Sequence, residues 1–351
     1  MSLGPMPSTG TDPATDAPVA DAPVAGPGSS QLDGGLPRTG GRSGERRGDR
    51  IFSAVSRGAG TGLLLIIVAI AVFLVVRAVP SLRDNNGNFF TTTAWDPNNT
   101  KPDFGIAALA FGTLLSSLLA LLLAFPVAIG VALFISHYAP RRIASVLGYV
   151  VDLLAAVPSV VYGLWGILYL NAKVTDTSRF LADHAGWVPL FGNQGIFGRS
   201  VFLASIVLAV MILPIIASLS REVFLQVPQA NQEAALALGA TRWEMIRIAV
   251  LPFGRPGVIG ATMLGLGRAL GETIAVAVVL SPAFVISFDV LAPSKGNTIA
   301  ANIANGFGEA NATGRSALIA SGLVLFAITM VVNMAARAVI YRRKEFTGGT
   351  L

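Results

Sequence analysis

Apolar residues in this chain gather into long blocks separated by short polar stretches. Six blocks, at 62–79, 105–138, 143–170, 200–219, 257–281 and 317–340, approach or exceed the ~20 helical residues that a hydrocarbon core requires. The pattern predicts an all-α integral membrane protein with six transmembrane helices. The second block is too long for one straight span, so either Pro126 bends it or its first turns lie along the membrane surface. Pro158 and Pro214 fall inside other blocks, where neighbouring helices are expected to satisfy the backbone groups that proline frees.

Composition supports the same class. The chain is 53% hydrophobic and 13% charged, with a mean hydropathy of +0.66, about half the charge of a soluble domain. The formal charge of +6 and pI of about 10.1 do not point to a nucleic-acid partner, because the basic residues sit at the ends of apolar blocks. With no cysteine, disulfides and thiol ligands are excluded. His137 and His184 are too few for a His-rich metal site, so no metal is expected.

Residues 1–50 hold ten Gly, seven Pro and no aromatic residue. Such a segment buries too little apolar surface to offset its ordering entropy. The tail 1–57 is read as disordered and cytoplasmic, ahead of a transmembrane domain at 58–351 with a cytoplasmic loop at 220–256. It lacks the charged-then-apolar order of a signal peptide. Arginines at 38, 42, 46, 47, 50 and 57, with Arg141, Arg142, Arg242, Arg247, Arg342 and Arg343, weight one set of loops. The positive-inside bias then places both termini in the cytoplasm of a multi-pass bacterial plasma membrane protein. No internal repeat is visible, which weighs modestly against a self-contained secondary transporter.

The loop between the fourth and fifth blocks reads Gln229-Ala-Asn-Gln-Glu-Ala-Ala-Leu-Ala-Leu-Gly-Ala-Thr-Arg-Trp-Glu244. Pro228 suits a helix start, and Gly239 can take the left-handed conformation that ends one. Thr241 and Glu244 have the spacing of a capping box that opens a second helix. Ala230, Ala234, Ala235 and Ala237 would let another surface approach the first helix closely. A polar connector lying on the membrane surface fits the pattern equally well.

The fifth block carries Gly265-Leu-Gly-Arg-Ala-Leu-Gly-Glu-Thr-Ile-Ala-Val276. Arg268 and Glu272 sit four apart, on one helical face well inside the apolar block, each costing roughly 2.5–3.5 kcal/mol near the bilayer centre. They are expected to face protein or water. One reading is a structural ion pair, although Arg before Glu is the weaker helical order. The other makes Arg268 an electropositive point on an anion path, oriented by Glu272. Gly265, Gly267 and Gly271 would permit close packing of a partner span.

Glu233-Ala234-Ala235 followed by Gly239 and Leu251-Pro252 resembles the EAA loop of importer-type ABC transporter permeases. Gly267 to Val276, Pro158-Ser-Val-Val-Tyr-Gly-Leu-Trp-Gly166 and Gly296-Asn-Thr-Ile-Ala-Ala-Asn-Ile-Ala-Asn-Gly-Phe-Gly308 resemble the phosphate-specific permeases, in particular the PstC-type subunit. The resemblance, from about residue 60 onward, implies the type I ABC importer permease fold and a non-enzymatic role in ATP-driven phosphate import. It implies translocation residues Arg268, Glu272 and Thr273, and ATPase-coupling residues Glu233, Ala234, Ala235, Gly239 and Ala240. The implied partners are a PstA-type permease, a PstB-type ATPase dimer and an extracytoplasmic phosphate-binding protein, with inorganic phosphate as solute and lipid around the spans. The chain carries no Gly-x-x-x-x-Gly-Lys-Ser/Thr loop, so ATP and magnesium are assigned to the partner ATPase and no cofactor to this chain. Competing readings are a sulfate or molybdate permease and an ion-driven carrier or channel. An intramembrane hydrolase lacks any supporting motif.

Overall fold

The protein, a computed structural model, is described over residues 47–192 and 195–344. It divides into two units, 1–61 and 62–351. In the first, residues 47–61 are helical and open α1 (Arg47–Asp84). Disorder is thus corrected for residues 47–57, while 1–46 lie outside the described residues. Ile51, Phe52 and Val55 extend an existing spanning helix, and extension needs no new nucleus.

The second apolar block is one continuous span. α2 (Ala107–Leu133) passes through Pro126 and runs on in a π-helical turn, Phe134–Tyr138. Before it, Trp95–Asp96 (β1) and Asp103–Phe104 (β2) pair antiparallel, closing the 85–103 loop into a small hairpin.

The third block departs from expectation. Pro158 does not sit inside a continuous helix; it separates α3 (Arg141–Ala155) from α4 (Ser159–Trp165), which continues into α5 (Asn171–Ala185). The two arms meet at 89°. Proline lacks the N–H that would continue the ladder and biases the preceding residue, Val157, away from the helical region. The Tyr162 hydroxyl donates to the Leu154 carbonyl at 2.8 Å and braces the corner. Arg179, Asp183 and His184 stand on α5.

Ser200 caps α6 (Val201–Leu225), accepting the Leu203 N–H at 3.3 Å. Pro214 stays inside this helix, as expected, and α6 is the most buried span, packed along α2. Then follow α7 (Gln229–Ala237), α8 (Arg242–Met245) and α9 (Leu251–Gly271). The fifth block is not continuous either: α9 stops at Gly271, Glu272 is extended, and α10 (Ile274–Val279) is a separate short helix. α11 (Ile299–Gly306) starts at Thr298, whose hydroxyl accepts the Ala301 N–H, and α12 (Ala312–Lys344) makes the last span. Among the described residues five helices are long and apolar enough to cross a membrane, or six if the bent pair of α3 with α4–α5 counts as one span.

Candidate functional site

Two regions concentrate the residues singled out by the sequence. The first is the broken fifth span. One side of α9 is glycine-rich because it lies directly on α6. A Cβ on Gly257 would meet Val223 at 2.5 Å, and one on Gly265 would meet Ile216 at 2.7 Å. Gly260, Gly267 and Gly271 have nothing within 4 Å of that position and stand on open space. Of the three glycines expected to form a packing stripe, only Gly265 packs within this chain.

Arg268 is exposed beside that open side. With Gly260, Met263, Leu264 and Gly267 of α9, it lines an open cavity of about 870 Å³. Ala155 of α3, Ile215 of α6, and Asn333, Ala336 and Arg337 of α12 complete the wall. Among the described residues no carboxylate lies within ion-pair distance of Arg268. A guanidinium, an amide and a second guanidinium therefore open onto one otherwise apolar cavity.

The predicted Arg268–Glu272 pair on one helical face is not formed, because the helix ends between them. Glu272 is 8% exposed, and its carboxylate turns the other way to accept the Ala275 N–H at 3.1 Å. A carboxylate at that end of a helix satisfies an orphan donor and complements the helix dipole. The Thr273 hydroxyl donates to the Gly271 carbonyl at 3.1 Å, closing the corner locally. Glu272 and Thr273 shape the break; Arg268 alone of the three opens onto the cavity.

Asn333 of α12 stands in the cavity wall beside Arg337. The legible signal was its spacing of four from Arg337, which puts two polar residues on one stripe of an apolar helix. Asp152 does bridge helices, with its carboxylate 3.5 Å from the Arg221 guanidinium of α6. Gly148 leaves room for that guanidinium, which would otherwise strike a Cβ.

The second region is the elbow between α6 and α9. Gly239 has φ +86°, the left-handed conformation that ends α7. The capping box is complete: Thr241 N–H donates to the Glu244 carboxylate at 2.7 Å, and Glu244 N–H to the Thr241 hydroxyl at 3.3 Å. Among the coupling candidates, Glu233, Ala234 and Gly239 are exposed, whereas Ala235 is buried and Ala240 half-buried. Ala235 joins Ala132, Leu133, Phe224, Met245, Ile246 and Val250 in one apolar cluster, and Ala240 packs against it. The expectation that Ala235 lies on an outward docking surface is thus corrected: it fastens the elbow to the ends of α2 and α6. The outward surface instead includes large apolar side chains the sequence reading passed over, Leu238 (90% exposed), Leu236 and Trp243.

The described residues thus hold a two-helix elbow packed against the ends of α2 and α6, and a separate open cavity lined by Arg268, Asn333 and Arg337. The family described as the binding-protein-dependent transport system inner membrane component matches residues 124–345, so the class is that of ABC importer permeases with the type I fold. The phosphate transport system permease protein PstC 2 of Mycobacterium tuberculosis is 51% identical over 305 residues, covering 84% of this chain and 92% of that protein. PstC of Mycobacterium leprae is 48% identical over 301 residues (84% and 93%), and PstC of Xylella fastidiosa 42% over 307 residues (86% and 94%). The chain belongs to the PstC family of phosphate transport system permease proteins. It is a transport subunit and not an enzyme.

Proposed function

We propose that this chain, as the PstC-type permease subunit of an ABC phosphate importer, lines half of the phosphate path and places the Arg268 guanidinium on it. The observation that carries this reading is a guanidinium without a carboxylate partner among the described residues, facing an open cavity within an apolar span. Such a charge costs roughly 2.5–3.5 kcal/mol to insert, and no ion pair among the described residues offsets that. Phosphate oxygens match a guanidinium through paired, charge-assisted hydrogen bonds. Asn333 adds a neutral polar group and Arg337 a second cation along the same wall. Glu272 and Thr273 act on the path indirectly, by ending α9 just beyond Arg268 and starting α10.

The elbow is the receiver of force. Glu233, Ala234 and Gly239, with the exposed Leu236, Leu238 and Trp243, form the surface offered to a PstB-type ATPase dimer. Ala235 and Ala240 hold that surface to the membrane helices. Closure of the ATPase pair on ATP displaces the elbow, and with it the ends of α2 and α6 and the start of α9. The cavity is thereby exposed alternately to the two sides of the membrane. A PstA-type permease supplies the other half of the path, and an extracytoplasmic binding protein delivers phosphate at the end remote from the elbow. ATP and magnesium belong to the ATPase, and both termini of this chain lie in the cytoplasm.

The test is ATP-driven phosphate uptake by the complete importer in proteoliposomes, in competition with arsenate and sulfate. Arg268→Gln removes hydrogen bonds to a charged ligand worth about 1.5–3 kcal/mol. It should lower uptake by roughly ten- to a hundredfold or more, with assembly of the complex unchanged. Normal transport by this variant would refute the role of Arg268.

A further inference from the structure

Arg199 precedes the cap residue of α6, in the segment remote from the elbow, and its side chain reaches a part of the chain some 80 residues away. Its Nη2 donates to the Val278 carbonyl at 2.6 Å and to the Leu280 carbonyl at 2.8 Å, and its Nε to the Val279 carbonyl at 3.4 Å. These are the last two carbonyls of α10 and that of its C-cap residue Leu280, which a helix end leaves without partners. Among the described residues no other donor reaches them and no carboxylate pairs with Arg199. Arg199 is itself exposed, and each hydrogen bond from its charged guanidinium to these carbonyls is worth about 1.5–3 kcal/mol.

The opposite end of α10 is held in the complementary way, by the Glu272 carboxylate on the Ala275 N–H. A cation therefore sits at the C-terminal pole and an anion at the N-terminal pole, both in the sense the helix dipole favours. The flank is set by close approach to α4. A Cβ on Gly163 would lie 2.9 Å from the Ala275 Cα, and one on Gly166 would lie 3.4 Å from a Val279 methyl group. Arg199 also stands where the connecting segment is anchored, since the Phe202 N–H donates to the Val290 carbonyl at 2.9 Å and Ser200 bridges Pro293.

We infer that Arg199 is a positioning residue for transport. It latches α10 to the outer end of α6, so that the break behind Arg268 stays fixed relative to the span that carries the elbow. Motion of α6 driven from the elbow then moves α10 with it, and losing the latch separates ATP hydrolysis from rearrangement of the outer part of the path. The inference rests on the proposed path in that the α9–α10 break is taken to border it.

The experiment uses the complete importer in lipid, measuring phosphate moved per ATP hydrolysed and hydrogen exchange of the amides at 274–280. Arg199→Gln should lower the transport ratio about tenfold and raise exchange in α10 about tenfold, with assembly and ATP hydrolysis retained. Arg199→Lys, which keeps the charge but not the three-carbonyl fork, should fall between the two and serves where the glutamine variant does not assemble. A wild-type ratio together with wild-type exchange in either variant overturns the latch. A proportional loss of complex, uptake and hydrolysis in Arg199→Lys, without a change in ratio, also overturns it, since that marks a merely structural role. Arg268→Gln measured alongside separates the two ideas. If it transports normally the path reading fails, while exchange over 274–280 still decides the latch.

Discussion

Truncating Phe224 tests whether the elbow transmits force as one piece. Phe224 ends α6 with 0% exposure, and its ring lies 2.9 Å from where a Cβ on Gly254 would stand. It fills the centre of the cluster that joins Ala235, Met245 and Ile246 of the elbow to Ala132 and Leu133 of α2. Replacing a buried Phe by Ala loses transfer energy and leaves a cavity, together about 3–5 kcal/mol. That raises the ratio of loosened to packed elbow by roughly a hundred- to a thousandfold or more. Phe224→Leu keeps most of the volume and should cost about 1–1.5 kcal/mol. With phosphate uptake and ATP hydrolysis measured in the same proteoliposomes, phosphate moved per ATP should fall steeply for Phe224→Ala and modestly for Phe224→Leu. Leu238→Ala is the control: at 90% exposure it should leave the thermal stability of the chain unchanged while weakening co-purification of the ATPase. If Phe224→Ala assembles and keeps the wild-type ratio, force does not pass through this cluster.

Two further outcomes follow from the broken spans. Glu272→Ala removes the cap on the Ala275 N–H and should cost about 1 kcal/mol, read as a lower midpoint in thermal unfolding of the detergent-solubilised complex. Glu272→Gln keeps an acceptor oxygen and should recover at least half of that loss; equal losses would mean the hydrogen bond is not what matters. Gly163→Val pushes side-chain atoms onto the Ala275 backbone and should cost about 1–3 kcal/mol by overpacking. Gly267→Val, facing open space, should leave unfolding nearly unchanged, and a reversed order would contradict the α4–α10 packing.

The sequence by itself determined those features whose causes are local. Spanning blocks are legible because the hydrocarbon thickness fixes a minimum apolar length, and helices lie in each of the six, although the third and fifth blocks are broken at Pro158 and Glu272. The elbow was legible for a similar reason: Gly239 and the Thr241–Glu244 capping box act within three or four residues, and both formed as read. Pro158 announced an irregularity, but the 89° angle depends on what the two arms pack against.

The tertiary structure decided where helices stop without a local breaker and which way small residues face. Ala269-Leu-Gly-Glu-Thr-Ile-Ala-Val276 contains no proline, and a continuous helix was the natural expectation. Ala275 packs on Gly163 and Arg199 donates to the carbonyls at the far end of α10, and both partners are distant in sequence. The Arg268–Glu272 pair vanished with that break. Ala234 and Ala235 are identical in chemistry, yet one is exposed and the other buried. Only the apolar ends of α2 and α6 distinguish them, and the chain brings those ends together by folding rather than by any short-range pattern.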